Sequence, residues 1–427
     1  MSATACALAP ARSRRLSVSD AFLDQVRAFA AFGCPTEVFD DAGIPYFVNE
    51  FWTAGQRQAH PIHEVSYRAC FKPQLPEFFI ARLTAPGDAV HDPFMGRGTT
   101  PVQAALMGRQ PFGNDINPLA VLLTRPRLAP PPLAAIAARL AEVPWQQDSE
   151  TRDDLLAFYH PDTLRQLTAL RAWLAARAPL DDPAPDPVDD WIRMVALNRL
   201  SGHSPGFFSV RTMPPNQAVS VSGQLRLNAK AGASPPPRDV AALILKKSRG
   251  LLARGAPPAH PPGRLLAGDA AASPALADGS VALVVTSPPF LDIVQYAADN
   301  WLRCWFAGID PEAVPIAMHR GESAWTAMIR AVLTEQARLL RPGGHVAFEV
   351  GEVRGGRVLL ERLVWQAAAG LPYDRLGVIV NRQDFTKTAH CWGVANNLRG
   401  TNTNRIVLLR RLSTPPAATG TEATTVR

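Results

Sequence analysis

The stretch GDAVHDPFMGRGTTPVQAALMGRQPFGNDINPLAVL, Gly87 to Leu122, decides the fold. It reads as a strand, a glycine-containing turn, a helix and a second strand. Thr100 fits the N-cap of the helix, and Pro101 its first position, where a missing N–H costs nothing. Gly108 fits its end. Strand–helix–strand implies a parallel sheet of α/β type.

Gly96 and Gly98 sit between strand and helix, where glycine lets the backbone come close to a ligand. Asp115 follows in GNDINP, at the tip of the next strand and about 20 residues on, where nucleotide-binding sheets place an acid on ribose hydroxyls. A tight turn with a capping Asp is the plainer alternative; the surrounding pattern favours binding. The third glycine of the dinucleotide fingerprint is absent, since Pro101 follows Thr99 and Thr100. A nucleoside without pyrophosphate therefore fits better. Asp92, at the first strand tip, favours a cationic ligand. S-adenosylmethionine, an adenosine bearing a sulfonium, meets both demands. Asp269, in LAGDA, has two readings: acceptor of the adenine amino group, or a turn Asp.

A second motif is VVTSPPF, Val284 to Phe290. The two prolines fix φ and stop the strand. They hold Ser287 and the Pro288 carbonyl at the carboxyl edge of the sheet, where α/β proteins bind ligands. A hydroxyl and an unclaimed carbonyl accept hydrogen bonds from an NH₂ group, and Phe290 offers a face for a base. Such a corner aims an exocyclic amine at a methyl sulfonium by positioning and fixed dipoles. No cysteine follows a proline, so a Pro-Cys nucleophile for carbon-5 methylation is missing. A strand-ending turn with Phe290 in the core is the alternative for this motif taken alone.

Outside these motifs the chain is less specific. Its 427 residues suffice for two or three units. Residues 1–60 read as a helical extension, with a helix starting at Ser19. LDDPAPDPVDD, 180–190, reads as an acidic spacer. The segment 191–260 holds ten basic residues and one acidic, Asp239, a net of +9 against +7 for the whole chain. This concentration suits a polyanion. Within it, Arg211, Asn216 and Gln217 have side chains that read base edges, and Lys246 and Lys247 suit phosphates. Each has a bland alternative as solvated surface, as Phe207 and Phe208 have as core. The polar stretch 385–405 reads as a DNA-facing loop or one held by its own Asn and Thr bonds.

Five scattered cysteines form no CxxC pair, which argues against a zinc site and fits a reducing cytoplasm. No apolar run is long enough for a membrane span.

HDPFMGRGTT resembles the cofactor motif, and TSPPF the catalytic motif, of the S-adenosylmethionine-dependent DNA amino-methyltransferases that modify cytosine N4 or adenine N6. SYRACFKPQLPEFFI resembles the family's segment over the methionine end of the cofactor, and LRPGGHVAFEVG its fifth strand. The resemblance covers about 61–130 and 261–412. It implies an α/β, Rossmann-like class I methyltransferase sandwich of three layers, with an inserted, mainly helical basic region. It implies that Lys72, Asp92, Phe94, Gly96, Gly98, Thr99, Thr100, Asp115, Asn117 and Asp269 line the cofactor. Ser287, Pro288, Pro289 and Phe290 would hold the target base. Ser at the first place resembles the cytosine-N4 branch; adenine N6 stays open.

The implied division is an extension (1–60), a cofactor half (61–130), an inserted target-recognition region (131–262), a catalytic half (263–412) and a disordered tail (413–427). Several Ser-Pro-Pro members carry the two motifs in the opposite order, so target recognition falls to the insert. The implied partner is DNA, as a duplex whose target base is flipped out, with a cognate restriction endonuclease as a possible companion. No metal and no membrane are expected. The other functional readings are an RNA guanine-N2 methyltransferase and a DNA-binding protein that has lost the chemistry.

Overall fold

The computed structural model describes residues 18–53, 59–67, 70–147, 152–213, 218–291, 296–315, 319, 321–353, 357–382 and 403–413. In chain order it runs α1 (Val18–Arg27), the hairpin β1 (Glu37–Asp41) and β2 (Ile44–Asn49), α2 (Gln74–Leu83), β3 (Ala89–Asp92), α3 (Thr99–Leu106), β4 (Gln110–Asp115) and α4 (Leu119–Leu128). Five helices follow: α5 (Leu133–Ala141), α6 (Pro161–Arg177), α7 (Pro187–Arg199), α8 (Val221–Ala231) and α9 (Val240–Leu251). The chain then returns to β5 (Arg264–Ala267), β6 (Val281–Thr286), α10 (Tyr296–Ala307), α11 (Glu322–Leu339) and β7 (Leu340–Val350). A small ribbon, β8 (Glu352–Val353) and β9 (Val358–Leu359), precedes α12 (Leu360–Ala367), β10 (Tyr373–Arg382) and β11 (Thr403–Arg411).

One sheet runs β1-β2-β10-β11-β7-β6-β3-β4-β5. The run from β5 to β7 is parallel, and β11 enters antiparallel between β7 and β10. The connections step outward from β3 on one side and from β6 on the other, so the order reverses between β3 and β6. Open α/β sheets bind ligands at such a switch point.

The central strands read as continuous apolar runs because both faces are covered. On one face Val346, Phe348, Val407 and Leu409 pack with Trp325, Ile329 and Leu333 of α11. On the other, Leu283, Val285, Ala347, Ile406 and Leu408 pack with Phe22 of α1 and Phe78 and Phe79 of α2. The fold is thus a three-layer, Rossmann-like α/β sandwich. The helices α4 to α7, α9 and α10 share a further core, with Trp191, Met194, Leu167 and Ile244 at its centre.

Three expectations need correction. The first 60 residues are not all helical, because β2 pairs in parallel with β10 and extends the sheet. Its run IPYFVN buries five of six residues, so it has the pattern of a core strand. The first helix starts at Val18, one residue before Ser19. The acidic stretch 180–190 is not a spacer throughout. Asp186 caps α7, accepting from Val188 N–H at 2.8 Å. Asp189 and Asp190 are buried in its first turn, Asp189 beside Arg139 and Arg177, and Asp190 bonded by Arg125 at 2.7 Å.

Candidate active site

The parallel strands β6, β3, β4 and β5 end on one sheet edge, and each delivers one part of the site. The register pairs His91 with Val284, Asp92 with Gly113, and Asp115 with Ala267. Ser287 follows β6, Gly96 and Gly98 follow β3, Asp115 closes β4, and Asp269 lies just beyond β5.

The glycine turn is closed by its own backbone and by Asp115. Met95 N–H donates to the Asn114 carbonyl at 2.9 Å, Gly98 N–H to the Met95 carbonyl at 2.6 Å, and Gly96 N–H to Asp115 Oδ2 at 2.8 Å. Gly98 is left-handed, with φ +76°, and a Cβ there would stand 2.2 Å from Thr124 Oγ1. Backbone and space both demand glycine.

That left-handed residue is also the N-cap of α3, which begins at Thr99. Thr100 is therefore not the cap. It lies in the first turn, and its hydroxyl donates to the Val285 carbonyl of β6 at 3.0 Å.

A second tie joins the two motifs. Thr286, the residue before Ser287, donates its hydroxyl to Asp92 Oδ1 at 2.6 Å, and Phe94 N–H reaches the same oxygen at 3.1 Å. Asp92 is 1% exposed, and burial pushes its carboxyl up to about 7. Asp92 thus forms a buried pin between β3 and β6. Thr99 and Asn117 are buried too. Thr99 Oγ1 accepts from Arg97 at 3.2 Å, and Asn117 Oδ1 accepts from Leu119 N–H at 3.0 Å, capping α4. Both shape the loop from behind.

The residues left facing outward from the expected cofactor set are Lys72, Phe94, Gly96 and Asp115, half-buried, and Asp269, exposed. Both Asp115 oxygens are held, Oδ1 by Asn117 N–H at 2.9 Å and Oδ2 by Gly96 N–H. Each keeps a second lone pair. Burial raises the Asp115 carboxyl to about 6 and lowers the Lys72 ammonium. Asp269 Oδ1 accepts from Ala271 N–H at 2.8 Å, a turn bond, and Asn114 Nδ2 donates to the Asp269 carbonyl at 2.9 Å.

At the second motif, Ser287 is half-buried and donates its hydroxyl to Glu349, near the end of β7. Asn404 Nδ2 donates to the same carboxylate at 2.9 Å, and burial raises the Glu349 carboxyl. Trp325 Nε1 of α11 donates to the Pro289 carbonyl at 2.9 Å. Among the described residues no backbone donor reaches the Pro288 carbonyl. Phe290 and Phe94 pack, half-buried, against the same core.

Glu349, Trp325 and Thr286 had not been singled out from the sequence. An acid inside the apolar run VAFEV was a usable signal for the first; nothing marked Trp325.

The basic segment, whose concentrated charge suits a polyanion, is partly interior. Arg193 is buried and donates to the Leu174 carbonyl at 3.0 Å. Arg199 lies over the Phe207 ring at 4.0 Å and is lowered to about 10 by burial. Lys247 pairs with Glu64 at 3.1 Å. Phe207 and Phe208 are buried. Arg211 and Lys246 are exposed, while Asn216, Gln217 and most of the polar stretch 385–405 lie outside the described residues. Among the described residues no cluster of metal-ligating side chains occurs, and no helix is long and apolar enough to cross a membrane.

Residues 44–124, which carry the glycine turn and its acid, match the model of the DNA methylase family. Over this stretch, about a fifth of its length, the chain is similar to that family. A Type II methyltransferase of Methanocaldococcus jannaschii, M.MjaII, is 43% identical to this chain over 72 residues, 17% of this chain and 13% of that protein. Among solved structures, TrmN from Thermus thermophilus has a TM-score of 0.32 and 14% identity over 83% of this chain and 53% of its own. The rRNA methyltransferase aviRa from Streptomyces viridochromogenes also has a TM-score of 0.32 and 14% identity, over 82% of this chain and 90% of its own. The chain spans about an eighth of the curated relative it matches and about half of TrmN.

Proposed function

We propose that this chain is a site-specific DNA methyltransferase that moves a methyl group from S-adenosylmethionine to the exocyclic amine of a flipped base, cytosine N4 first. One observation carries the reading. The Ser-Pro-Pro-Phe elbow and the glycine turn leave adjacent parallel strands at the switch point, tied by Thr286 to Asp92 and by Thr100 to Val285.

The residues on that edge suit the cofactor. Asp115, with a lone pair free on each fixed oxygen, accepts from ribose hydroxyls, and Gly96 leaves room above the turn. Asp269 at the next strand end suits the adenine amino group, and Lys72 the carboxylate at the methionine end. When bound, S-adenosylmethionine supplies a methyl group on a positive sulfur.

The elbow's part is to seat the amine. Because Ser287 spends its proton on Glu349, its oxygen lone pairs are left to accept from the amine. The Pro288 carbonyl supplies the second acceptor, held still by the prolines and by Trp325 behind Pro289. As the N–C bond forms and the S–C bond breaks, the amine must shed a proton. It passes to Ser287 Oγ as the Ser287 proton moves to Glu349, whose raised affinity for protons suits that task.

The helices from 131 to 262 are then the target-recognition region, with Arg211 and Lys246 among its exposed cations. Its companion in this reading is a cognate restriction endonuclease, and its place of action the cytoplasm. Adenine N6 is the second reading, because the same two acceptors would grip either amine. Tritiated methyl transfer to DNA, followed by nucleoside mass spectrometry, tests both. N4-methylcytosine is the expected product, N6-methyladenine would select the second reading, and label entering tRNA but not DNA would overturn both.

A further inference from the structure

Three consecutive residues ahead of the cofactor motif, Glu64, Val65 and Ser66, are each held by a different part of the molecule. The Val65 carbonyl accepts from Arg97 of the glycine turn at 3.0 Å. The Ser66 carbonyl accepts from Arg303 of α10, the helix after the catalytic elbow, at 2.9 Å. The Glu64 carbonyl accepts from Asn198 Nδ2 of α7 at 3.0 Å, and Asn198 Oδ1 takes Ser66 N–H at 2.9 Å. Asn198 thus closes a two-point clamp on backbone, from inside the inserted helices, and is 2% exposed.

The anchors carry little redundancy. Buried backbone polar groups must be paired; Glu64 N–H and Val65 N–H bond the Pro61 and His63 carbonyls, no strand pairs these residues, and side chains take the three carbonyls and Ser66 N–H. Arg97 and Arg127 are both buried. Arg127 donates to the Arg97 and Ile62 carbonyls and so fixes the backbone of Arg97, whose guanidinium also bonds Thr99 Oγ1 and the Phe71 carbonyl besides Val65. The next residue, Tyr67, brings its ring to 3.5 Å from where a Gly96 Cβ would stand. A displacement of Ser66 is therefore felt at the glycine turn, two packed contacts away.

We infer that Asn198 is a positioning residue through which the inserted helices set the cofactor turn, so that engagement of nucleic acid by the insert and of cofactor by the turn are energetically coupled. Coupling is reciprocal: whatever the insert's ligand does to cofactor affinity, cofactor does to that ligand. This inference rests on the methyltransferase reading.

The test uses the full chain and three proteins: wild type, Asn198→Ala, and Leu170→Ala. Leu170 is buried in the helical core and takes no part in the clamp's hydrogen bonds, so its variant reports simple loss of stability. S-adenosylmethionine affinity is measured by calorimetry with and without saturating sheared DNA of mixed sequence. Wild type is expected to bind cofactor more tightly with DNA present. Asn198→Ala is expected to bind it about tenfold more weakly (about 1.4 kcal/mol) and to lose most of the DNA effect. Leu170→Ala should lower the melting temperature yet keep both. Wild-type affinity and coupling in Asn198→Ala, or equal losses in Leu170→Ala, would overturn the inference. No cofactor binding by wild type would instead sink the methyltransferase reading itself.

Discussion

Replacing Gly98 by Ala isolates what the glycine turn requires. The added Cβ meets Thr124 of α4 at 2.2 Å (Oγ1), 2.5 Å (Cγ2) and 2.8 Å (Cβ), all closer than real contacts allow. Thr124 is on a fully buried helix face and cannot swing away. Overpacking of that kind costs about 1–3 kcal/mol. Holding Ala at φ +76° adds about 1–2 kcal/mol. The variant should lose about 3.5 kcal/mol in urea unfolding, taking both terms at mid-range.

A second substitution separates the two terms. Thr124→Gly removes every atom that the new Cβ meets, and its hydroxyl has no partner among the described residues. Alone it should cost about 1 kcal/mol for glycine in a helix, plus its lost burial. In the double variant the steric term vanishes, so the two changes should sum to at least about 1 kcal/mol less than additivity predicts. Cofactor affinity should fall in Gly98→Ala and recover in the double variant. Additive losses, or a single variant within about 0.5 kcal/mol of wild type, would refute the steric account of this turn.

Asp92→Asn keeps the shape of the pin without its titration. Asp92 holds its proton up to about pH 7 when folded and to about pH 4 when unfolded. The folded state therefore binds more protons between these values, and stability falls as pH rises through that window. The variant should flatten this slope, worth up to about 1.4 kcal/mol per pH unit for one proton; an unchanged slope in chemical unfolding would exclude the assignment. Asp115→Ala should weaken S-adenosylmethionine at least about tenfold, since Gly96 N–H and the ribose lose one acceptor, and calorimetry showing wild-type affinity would refute the ribose role. Trp325→Phe fills the same core but frees the Pro289 carbonyl; turnover should drop about tenfold with cofactor affinity kept, and a matching affinity loss would contradict it. Glu349→Gln should slow methyl transfer and remove the acid limb of its pH profile, whereas an unaltered profile would rule out Glu349 as proton acceptor.

The site was partly legible before folding because its pieces are local. Gly96, Gly98 and Asp115 lie within one strand–turn–helix–strand unit, and the Ser287 elbow announces itself by two adjacent prolines. Other features were not legible. Asp92, Thr99, Thr100 and Asn117 sit in the motifs and look like ligand-lining residues. In the fold Asp92 and Thr100 are bonded across strands, to Thr286 and Val285, while Thr99 and Asn117 bond Arg97 and Leu119 within their own turns. The basic segment looked like a surface until Arg193, Arg199 and Lys247 found partners distant in sequence.

By itself, the sequence determined a parallel α/β sheet, a turn only glycine can make and an elbow that ends a strand, because backbone geometry and period are local properties. Tertiary structure decided that β3 and β6 lie side by side, that Glu349 stands behind Ser287, that β2 joins the far end of the sheet, and that Asn198 clasps Glu64 and Ser66. Those pairings bridge separations of up to 330 residues, as between Phe51 and Asn381. They depend on which faces bury together, and no run of neighbouring residues encodes that.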